Sequence, residues 1–193
     1  MESEIIEKYF KRPITDPSVI AGIGDDAALL RIPDQYQLVV TTDSLIADIH
    51  FPQNTQAFDI GFKSAAVNLS DLAAMGAIPK WISLALVMPT HHHDWLASFT
   101  KGLFQLLDQF NVSLIGGDLC RGPHLMITIT AQGLVETDKA LRRNAAKVGD
   151  IIYVTHALGD AGLALRCLQH NQPMADAVAE RFYRPQPEIA AGR

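Results

Sequence analysis

The clearest pattern along the chain is a helical repeat of apolar positions over residues 55–75. Their three- and four-residue spacing predicts an amphipathic helix packed on a core, and Gly76 follows as a stop signal. The repeating positions are Phe58, Phe62, Ala65, Ala66, Leu69, Leu72 and Ala73. A second amphipathic helix is predicted over residues 94–110, with Thr90 as a candidate cap.

Runs rich in Leu, Val, Ile and Thr predict the strands. Residues 27–32 and 37–45, separated by a Pro-Asp turn, are expected to form a hairpin. Further strands are predicted over residues 81–88, 112–115 and 125–135, and a short helix over residues 2–10. The order ββαβαββ predicts an α+β fold, with helices on one face of a mixed or antiparallel sheet.

A domain boundary is expected near the basic stretch at residues 137–150. Residues 1–138 would form the first domain. Residues 139–193 would be a linker and the beginning of a second α/β domain, with a strand over 151–155 and a helix over 160–169.

Charge is distributed unevenly along the 193 residues, whose net charge is −5. Between Asp16 and Asp71, eight acidic side chains stand against only Arg31 and Lys63, a local charge of −6. A phosphate backbone needs clustered Lys and Arg, so a general nucleic-acid binder is excluded.

Two cysteines are too few for a disulfide framework, and the charged, amphipathic start does not resemble a signal peptide. The longest apolar stretch is also far short of the roughly 20 residues of a membrane helix. These observations predict a cytoplasmic protein that does not enter a membrane.

Several acidic side chains lie beside glycine-rich or strand-end turns. Asp25 and Asp26 follow Gly-Ile-Gly, Asp43 lies in Thr-Thr-Asp-Ser, and Asp118 ends Gly-Gly-Asp. Glycines let a backbone approach a ligand closely. Asp71 instead lies inside the most apolar helix, on the same helical stripe as Ser64 and Asn68. An unpaired carboxylate would be costly to bury there.

Simpler interpretations remain open for each motif. The glycine motifs would equally serve as turns, and Asp71 could cap a helix or pair with Lys63 or Lys80. If Asp26, Asp43, Asp71 and Asp118 converge, however, their oxygen ligands suit Mg²⁺ together with substrate phosphates. That hypothesis also accounts for the acidic segment.

Four other features could bind a ligand or contribute only to the structure. The three histidines at 91–93 point in different directions at a helix start, which indicates a solvated helix end, and Cys120 is typical of a small packing residue. His50 lies in a loop after the acidic strand and is a candidate ligand contact. Arg142 and Arg143 are either solvated charges or phosphate contacts.

Five blocks together resemble a known family: Gly22-Ile-Gly-Asp-Asp-Ala-Ala28, Thr41-Thr-Asp-Ser-Leu45, His50-Phe51, Ala66-Val-Asn-Leu-Ser-Asp-Leu-Ala-Ala-Met-Gly-Ala77 and Ile115-Gly-Gly-Asp118. In this order they closely resemble the thiamine-monophosphate kinase family, of the superfamily of aminoimidazole ribonucleotide synthetase and selenophosphate synthetase. The resemblance covers nearly the whole chain.

The resemblance implies ATP-dependent phosphorylation of thiamine monophosphate to thiamine diphosphate by a homodimer that pairs the sheets of its N-terminal domains. It also implies several bound Mg²⁺ ions, a substrate contact at His50, and nucleotide contacts at Gly117, Asp118 and Arg143. The metal ligands implied by position are Asp26, Thr41, Thr42, Asp43, Asp71 and Asp118.

The reaction implied is direct in-line transfer onto a substrate phosphate oxygen, which needs no covalent nucleophile and no strong general base. In the family a second domain with a Ser-Asp-Gly motif completes the site, and this sequence ends just inside that domain. The alternatives are another ATP-using member of the superfamily, or a truncated fragment that binds nucleotide or dimerises without activity.

Overall fold

A computed structural model of the protein describes residues 2–193. The helical repeat forms the long helix α2, and a π-helical turn Ile6–Phe10 follows the short helix α1. The helices are α1 Glu2–Ile5, α2 Ala57–Ala74, α3 His93–Gln109, α4 Asp160–Gln169, α5 Asp176–Tyr183 and α6 Ile189–Gly192. The strands are β1 Val19–Ala21, β2 Leu29–Leu30, β3 Tyr36–Ile46, β4 Ile78–Met88, β5 Ser113–Arg121 and β6 Met126–Glu136.

Four strands form a mixed sheet in the order β3-β6-β4-β5. β6 is antiparallel to both of its neighbours, whereas β4 and β5 are parallel and are joined through α3. The buried residues Leu84, Ile129 and Leu103 belong to one core cluster between the sheet and the helices α2 and α3. The α+β class with helices on one face is therefore confirmed.

The opposite face of the sheet is only partly covered. Trp81, Ile115 and Leu134 form a smaller cluster there under the residues around β1 and β2. Elsewhere on this face, Leu38 and Val40 of β3 remain exposed. We call this surface, with the hydroxyl pairs Thr42–Thr130 and Ser44–Thr128, the open face.

Three details of the predicted strands and caps are wrong. The segments at 27–32 and 37–45 do not form a hairpin, because β2 pairs with β1 while β3 pairs with β6. The short strand predicted at 112–115 continues through Gly116-Gly117-Asp118 to Arg121. Thr90 does not cap α3, since its hydroxyl contacts His92 Nε2 at 2.8 Å instead.

Glycines determine how closely α2 and α3 pack. A Cβ built at Gly102 would overlap the backbone carbonyl of Phe58, and one at Gly61 would overlap that of Phe99. The two helix backbones are therefore in direct contact, a packing that larger residues would prevent.

The segment after β6 is irregular until α4 begins. Residues 151–155, predicted as a strand, have no strand pairing in the structure, and Ile152 is 92% exposed. A strand needs a partner for its backbone groups, and the described residues offer none here. By contrast, the helix predicted at 160–169 is confirmed as α4.

Candidate functional site

Helix α2 and strand β3 hold the first group of candidate residues. The Thr41 hydroxyl donates a hydrogen bond to Asp71 Oδ2 at 2.9 Å, and the backbone N–H of Asp43 donates to Asn68 Oδ1 at 3.1 Å. Asn68 is fully buried, while Asp71 is exposed at the last turn of the helix. The two elements therefore present Thr41, Asp43 and Asp71 along one edge of the domain.

Asn68 contacts the candidate residues in a way that the sequence did not reveal. Its side-chain amide donates to the carbonyl of Ser64 at 3.0 Å, which orients its oxygen toward Asp43. The stripe Ser64, Asn68, Asp71 was the available signal, but it could not show which backbone group Asn68 would bind. Asn68 thus positions the acidic strand against the helix.

The lysine partners considered for Asp71 bind elsewhere. Lys80 Nζ lies 3.0 Å from Asp16, and Lys63 Nζ lies 4.0 Å from the centre of the Phe182 ring. Ser18 and Lys80 lower the pKa of the Asp16 carboxyl, outweighing the upward effect of burial. The structure therefore leaves Asp71 bonded to a neutral hydroxyl.

His50 and Thr42 lie near this group but are oriented differently. His50 Nδ1 accepts a hydrogen bond from the N–H of Ile46 at 3.1 Å, so the neutral ring keeps its proton on Nε2. The ring is exposed just beyond the end of β3. The Thr42 hydroxyl lies on the open face, 2.9 Å from that of Thr130.

The second group of candidates lines a cleft of 640 Å³ along strand β5. Gly24, Asp25 and Asp26 form one wall, and Gly116, Gly117 and Asp118 form another. Helix α1 and the turn after it close the cleft, with apolar side chains that include Ile6 and Phe10. A cleft of this size, apolar with a few polar groups, suits a nucleotide-sized ligand.

The backbone at Gly117 explains why a glycine is needed in this strand. Its φ is +152°, and a Cβ there would overlap the carbonyl oxygen of Leu84 on the parallel neighbour β4. The preceding Gly116 has open space around an added Cβ. Only the second glycine is therefore required by the fold.

The two groups lie at opposite edges of the sheet. Asp43 is in register with Ile129, Ile129 with Leu84, and Leu84 with Gly117. Three strand spacings separate Asp43 from Gly117 by about 14 Å. Among residues 2–193, the single chain gathers no three carboxylate, histidine or cysteine side chains into a metal-binding group.

The residues at the β3 edge fit a hard divalent cation by chemistry. They offer only oxygen donors: the carboxylates of Asp43 and Asp71 and the hydroxyl of Thr41. Mg²⁺ is commonly held by one or two carboxylates, with water and substrate phosphates completing its octahedron. The donor set is thus suitable, although one chain supplies only part of the predicted cluster.

The remaining candidates are separate from these groups. Arg143 is exposed in the irregular segment after β6. This segment runs beside the last turn of α2, where the Leu141 N–H donates a 3.0 Å hydrogen bond to the Met75 carbonyl. His93 contacts the Tyr9 hydroxyl at 2.8 Å while His92 contacts Thr90, so the histidines have different partners.

Cys120 is exposed, so its interpretation as a packing residue is wrong. Partial desolvation and the nearby Asp118 carboxylate raise the pKa of its thiol. A raised pKa disfavours the thiolate that a nucleophile would require.

Residues 24–135 match the family described as AIR synthase related protein, N-terminal domain. Thiamine-monophosphate kinase of Haemophilus influenzae is 44% identical over 197 residues, which cover 100% of this chain and 60% of that protein. The chain therefore spans about three fifths of the length of this curated relative. Within residues 2–193, no helix is long and apolar enough to cross a membrane.

Two solved structures extend the similarity to the fold. The crystal structure of thiamine-monophosphate kinase from Stenotrophomonas maltophilia K279a has a TM-score of 0.84 and 45% identity, covering 98% of this chain and 61% of its own. AaThiL complexed with AMPPCP and TMP has a TM-score of 0.77 and 25% identity, covering 98% and 60%.

Proposed function

The chain belongs to the family of AIR synthase related proteins, N-terminal domain, and from that premise we propose that it is the ATP- and metal-binding part of a thiamine-monophosphate kinase. The reaction would transfer the γ-phosphoryl group of ATP to thiamine monophosphate, giving thiamine diphosphate and ADP. The observation that supports this most is the bonded pair Thr41–Asp71 beside Asp43, an oxygen-only donor set on one edge.

The proposed metal ligands are the six residues expected from the sequence: Asp26, Thr41, Thr42, Asp43, Asp71 and Asp118. Bound Mg²⁺ would neutralise phosphate charge on both substrates and so reduce the repulsion between two anions. Thr41, Asp43 and Asp71 fit this role best, because they already share one edge. Thr42 fits least well, because Thr130 binds its hydroxyl on the other face.

The other proposed roles concern positioning. The glycine-lined cleft would hold ATP against Gly117 and Asp118, and the guanidinium of Arg143 would offer planar donors to its phosphates. His50, with its Nε2–H free of the Ile46 contact, would donate to the substrate. The attacking phosphate oxygen is already anionic, so these residues need only bring the two substrates into line.

We also propose that the protein is a homodimer, because pairing would join the two separated groups. Strands β3 and β5 are the free edges of the four-stranded sheet, and unpaired edges favour association. If β3 of one copy meets β5 of the other, a two-fold arrangement closes an eight-stranded barrel. Asp43 of one copy would then approach Asp118 of the other, and the open face would become the interior.

Val40→Lys is expected to raise the dimer dissociation constant by about 100-fold or more, because a lysine inside the barrel would lose its hydration without a partner. Val40 is 55% exposed on the open face of the single chain. Sedimentation equilibrium measures the effect. Leu165→Lys is the control, since Leu165 is 49% exposed on helix α4, away from the sheet. An unsubstituted chain that stays monomeric would refute the dimer.

We further propose that residues 139–193 begin a second domain, and that the protein is cytoplasmic. The domain proposal rests on two observations. The segment after β6 is irregular and exposed, and the chain matches 60% of the length of the Haemophilus influenzae relative. The location rests on two free cysteines, Cys120 and Cys167, which are typical of a reducing compartment.

The kinase proposal is tested by measuring ADP release with thiamine monophosphate, for the 193-residue chain and for a version extended through the second domain. We expect Mg²⁺-dependent nucleotide binding by both, and ADP release by the extended version. The incomplete coverage of the relative favours the alternative that this chain alone is an inactive nucleotide-binding fragment. An extended version that binds ATP but releases no ADP with thiamine monophosphate would point to another acceptor.

A further inference from the structure

A partly buried ion pair joins the C-terminal part of the chain to the start of helix α2. Arg184 Nε donates to Asp59 Oδ1 at 2.6 Å, across 125 positions of sequence. Asp59 is only 9% exposed, although it lies in the first turn of α2. The hydrogen bond to Asp59 raises the pKa of the Arg184 guanidinium, which therefore stays charged. A buried carboxylate of this kind would be costly without its partner.

Aromatic contacts surround this pair and complete the attachment. The Arg184 guanidinium carbon lies 5.1 Å from the centre of the Phe58 ring, and Lys63 Nζ lies 4.0 Å from that of Phe182. Helix α2 thus presents Lys63 to a ring of the C-terminal segment, and the C-terminal segment presents Arg184 to a ring of α2. Cation–π interactions of this kind are stronger when they are desolvated.

The same segment is also attached at the other end of α2. After Arg184 the chain runs through an extended Pro-Gln-Pro stretch to the short helix α6, where Ile189 is buried in the main core. A Cβ at Gly192 would overlap the carbonyl oxygen of Ala73 in the last turn of α2. Residues 182–192 therefore follow α2 from its first turn to its last, and we call them the strap.

Helix α2 is the element on which the proposed metal site depends. Asn68 holds the backbone of Asp43, and Asp71 accepts the hydrogen bond from Thr41. A shift of α2 by one residue along its axis would move both side chains by about 1.5 Å relative to β3. Contacts at both ends of the helix oppose such a shift.

We propose that Arg184 is a positioning residue for the metal site: through Asp59 and the strap it fixes helix α2 so that Asn68 and Asp71 stay in register with strand β3. The expected effect on Mg²⁺ binding rests on the proposed function, whereas the position of α2 against β3 is a property of this chain. It assigns a role to an ion pair that is not among the proposed metal, nucleotide and substrate contacts.

The test compares Arg184→Met with Arg12→Met in the full 193-residue chain. Arg12 is a matched control, because it also binds an aspartate, Asp108, at 3.0 Å and lies 4.4 Å from the centre of the Phe104 ring. Hydrogen exchange of residues 66–75 reports how readily the C-terminal half of α2 opens, and so how firmly it is held. The Mg²⁺ concentration needed for half-maximal binding of AMPPCP reports the site.

Arg184→Met is expected to accelerate exchange over residues 66–75 about tenfold and to raise the Mg²⁺ midpoint about 5- to 20-fold, whereas Arg12→Met changes neither. The double variant Asp59→Asn with Arg184→Met removes the buried charge. It should recover thermal stability without recovering the midpoint, which separates positioning from stability.

A lower Tm for Arg184→Met with unchanged exchange at 66–75 and an unchanged Mg²⁺ midpoint would overturn the proposal. Failure of the unsubstituted chain to bind AMPPCP with Mg²⁺ would count against the proposed function. In that case the exchange rates alone would decide whether Arg184 holds the C-terminal half of α2 in place.

Discussion

Asp71→Asn is expected to weaken Mg²⁺-dependent nucleotide binding by about 100-fold or more, because the amide replaces an anionic ligand of the proposed cation by a neutral one. The fold should be retained, since Asp71 is exposed and an asparagine oxygen can still accept the hydrogen bond from Thr41. Isothermal titration with AMPPCP, at fixed and varied Mg²⁺, measures the loss.

Asp34→Asn is the matched control for this substitution. Asp34 is exposed in the turn before β3 and belongs to the same acidic segment, so the variant changes the local charge equally without touching the candidate site. Equal losses for both variants would mean that net charge, rather than ligation, attracts the cation. Normal binding by Asp71→Asn would remove Asp71 from the proposed ligand set.

Gly117→Ala is expected to destabilise the protein by roughly 3 kcal/mol or more, because the methyl group would overlap the Leu84 carbonyl oxygen and separate β4 from β5. The separation would also deform the cleft that Gly117 lines. Thermal unfolding followed by circular dichroism measures the change, and we expect Tm to fall by about 10 °C or more.

The adjacent glycine provides the control within the same strand. Gly116→Ala adds the same methyl group where no atom lies within 4 Å of it, so Tm should remain within about 2 °C of the original value. If both variants unfolded alike, the strand would be intolerant of any side chain, and the specific overlap with Leu84 would not be the cause.

Local patterns predicted the helices α2, α3 and α4 well, because their periodicity follows from one buried face, but they did not predict α5 and α6. The repeat at residues 55–75 corresponds to α2 within two residues at either end. The hairpin prediction failed because adjacency along the chain does not determine strand partners. β3 finds its partner in β6, whose apolar residues Ile127 and Ile129 extend the same core.

The candidate site was predicted by residue type but not by arrangement. Resemblance named Thr41, Asp43 and Asp71, and the structure places them on one edge. The resemblance could not reveal that Asp118 lies at the opposite edge of the sheet from these residues, because that separation follows from the strand order. The Asp59–Arg184 pair could not be predicted either, since nothing in the sequence around either residue indicates a partner 125 positions away.

The glycine contact between α2 and α3 has a mechanical consequence. Where side chains separate two helices, each helix can slide or rotate a little as those side chains change rotamer. Here the carbonyls of Phe58 and Phe99 touch glycine backbone, so no deformable layer lies between them. We therefore expect α2 and α3 to move together as one rigid unit when either of them is displaced.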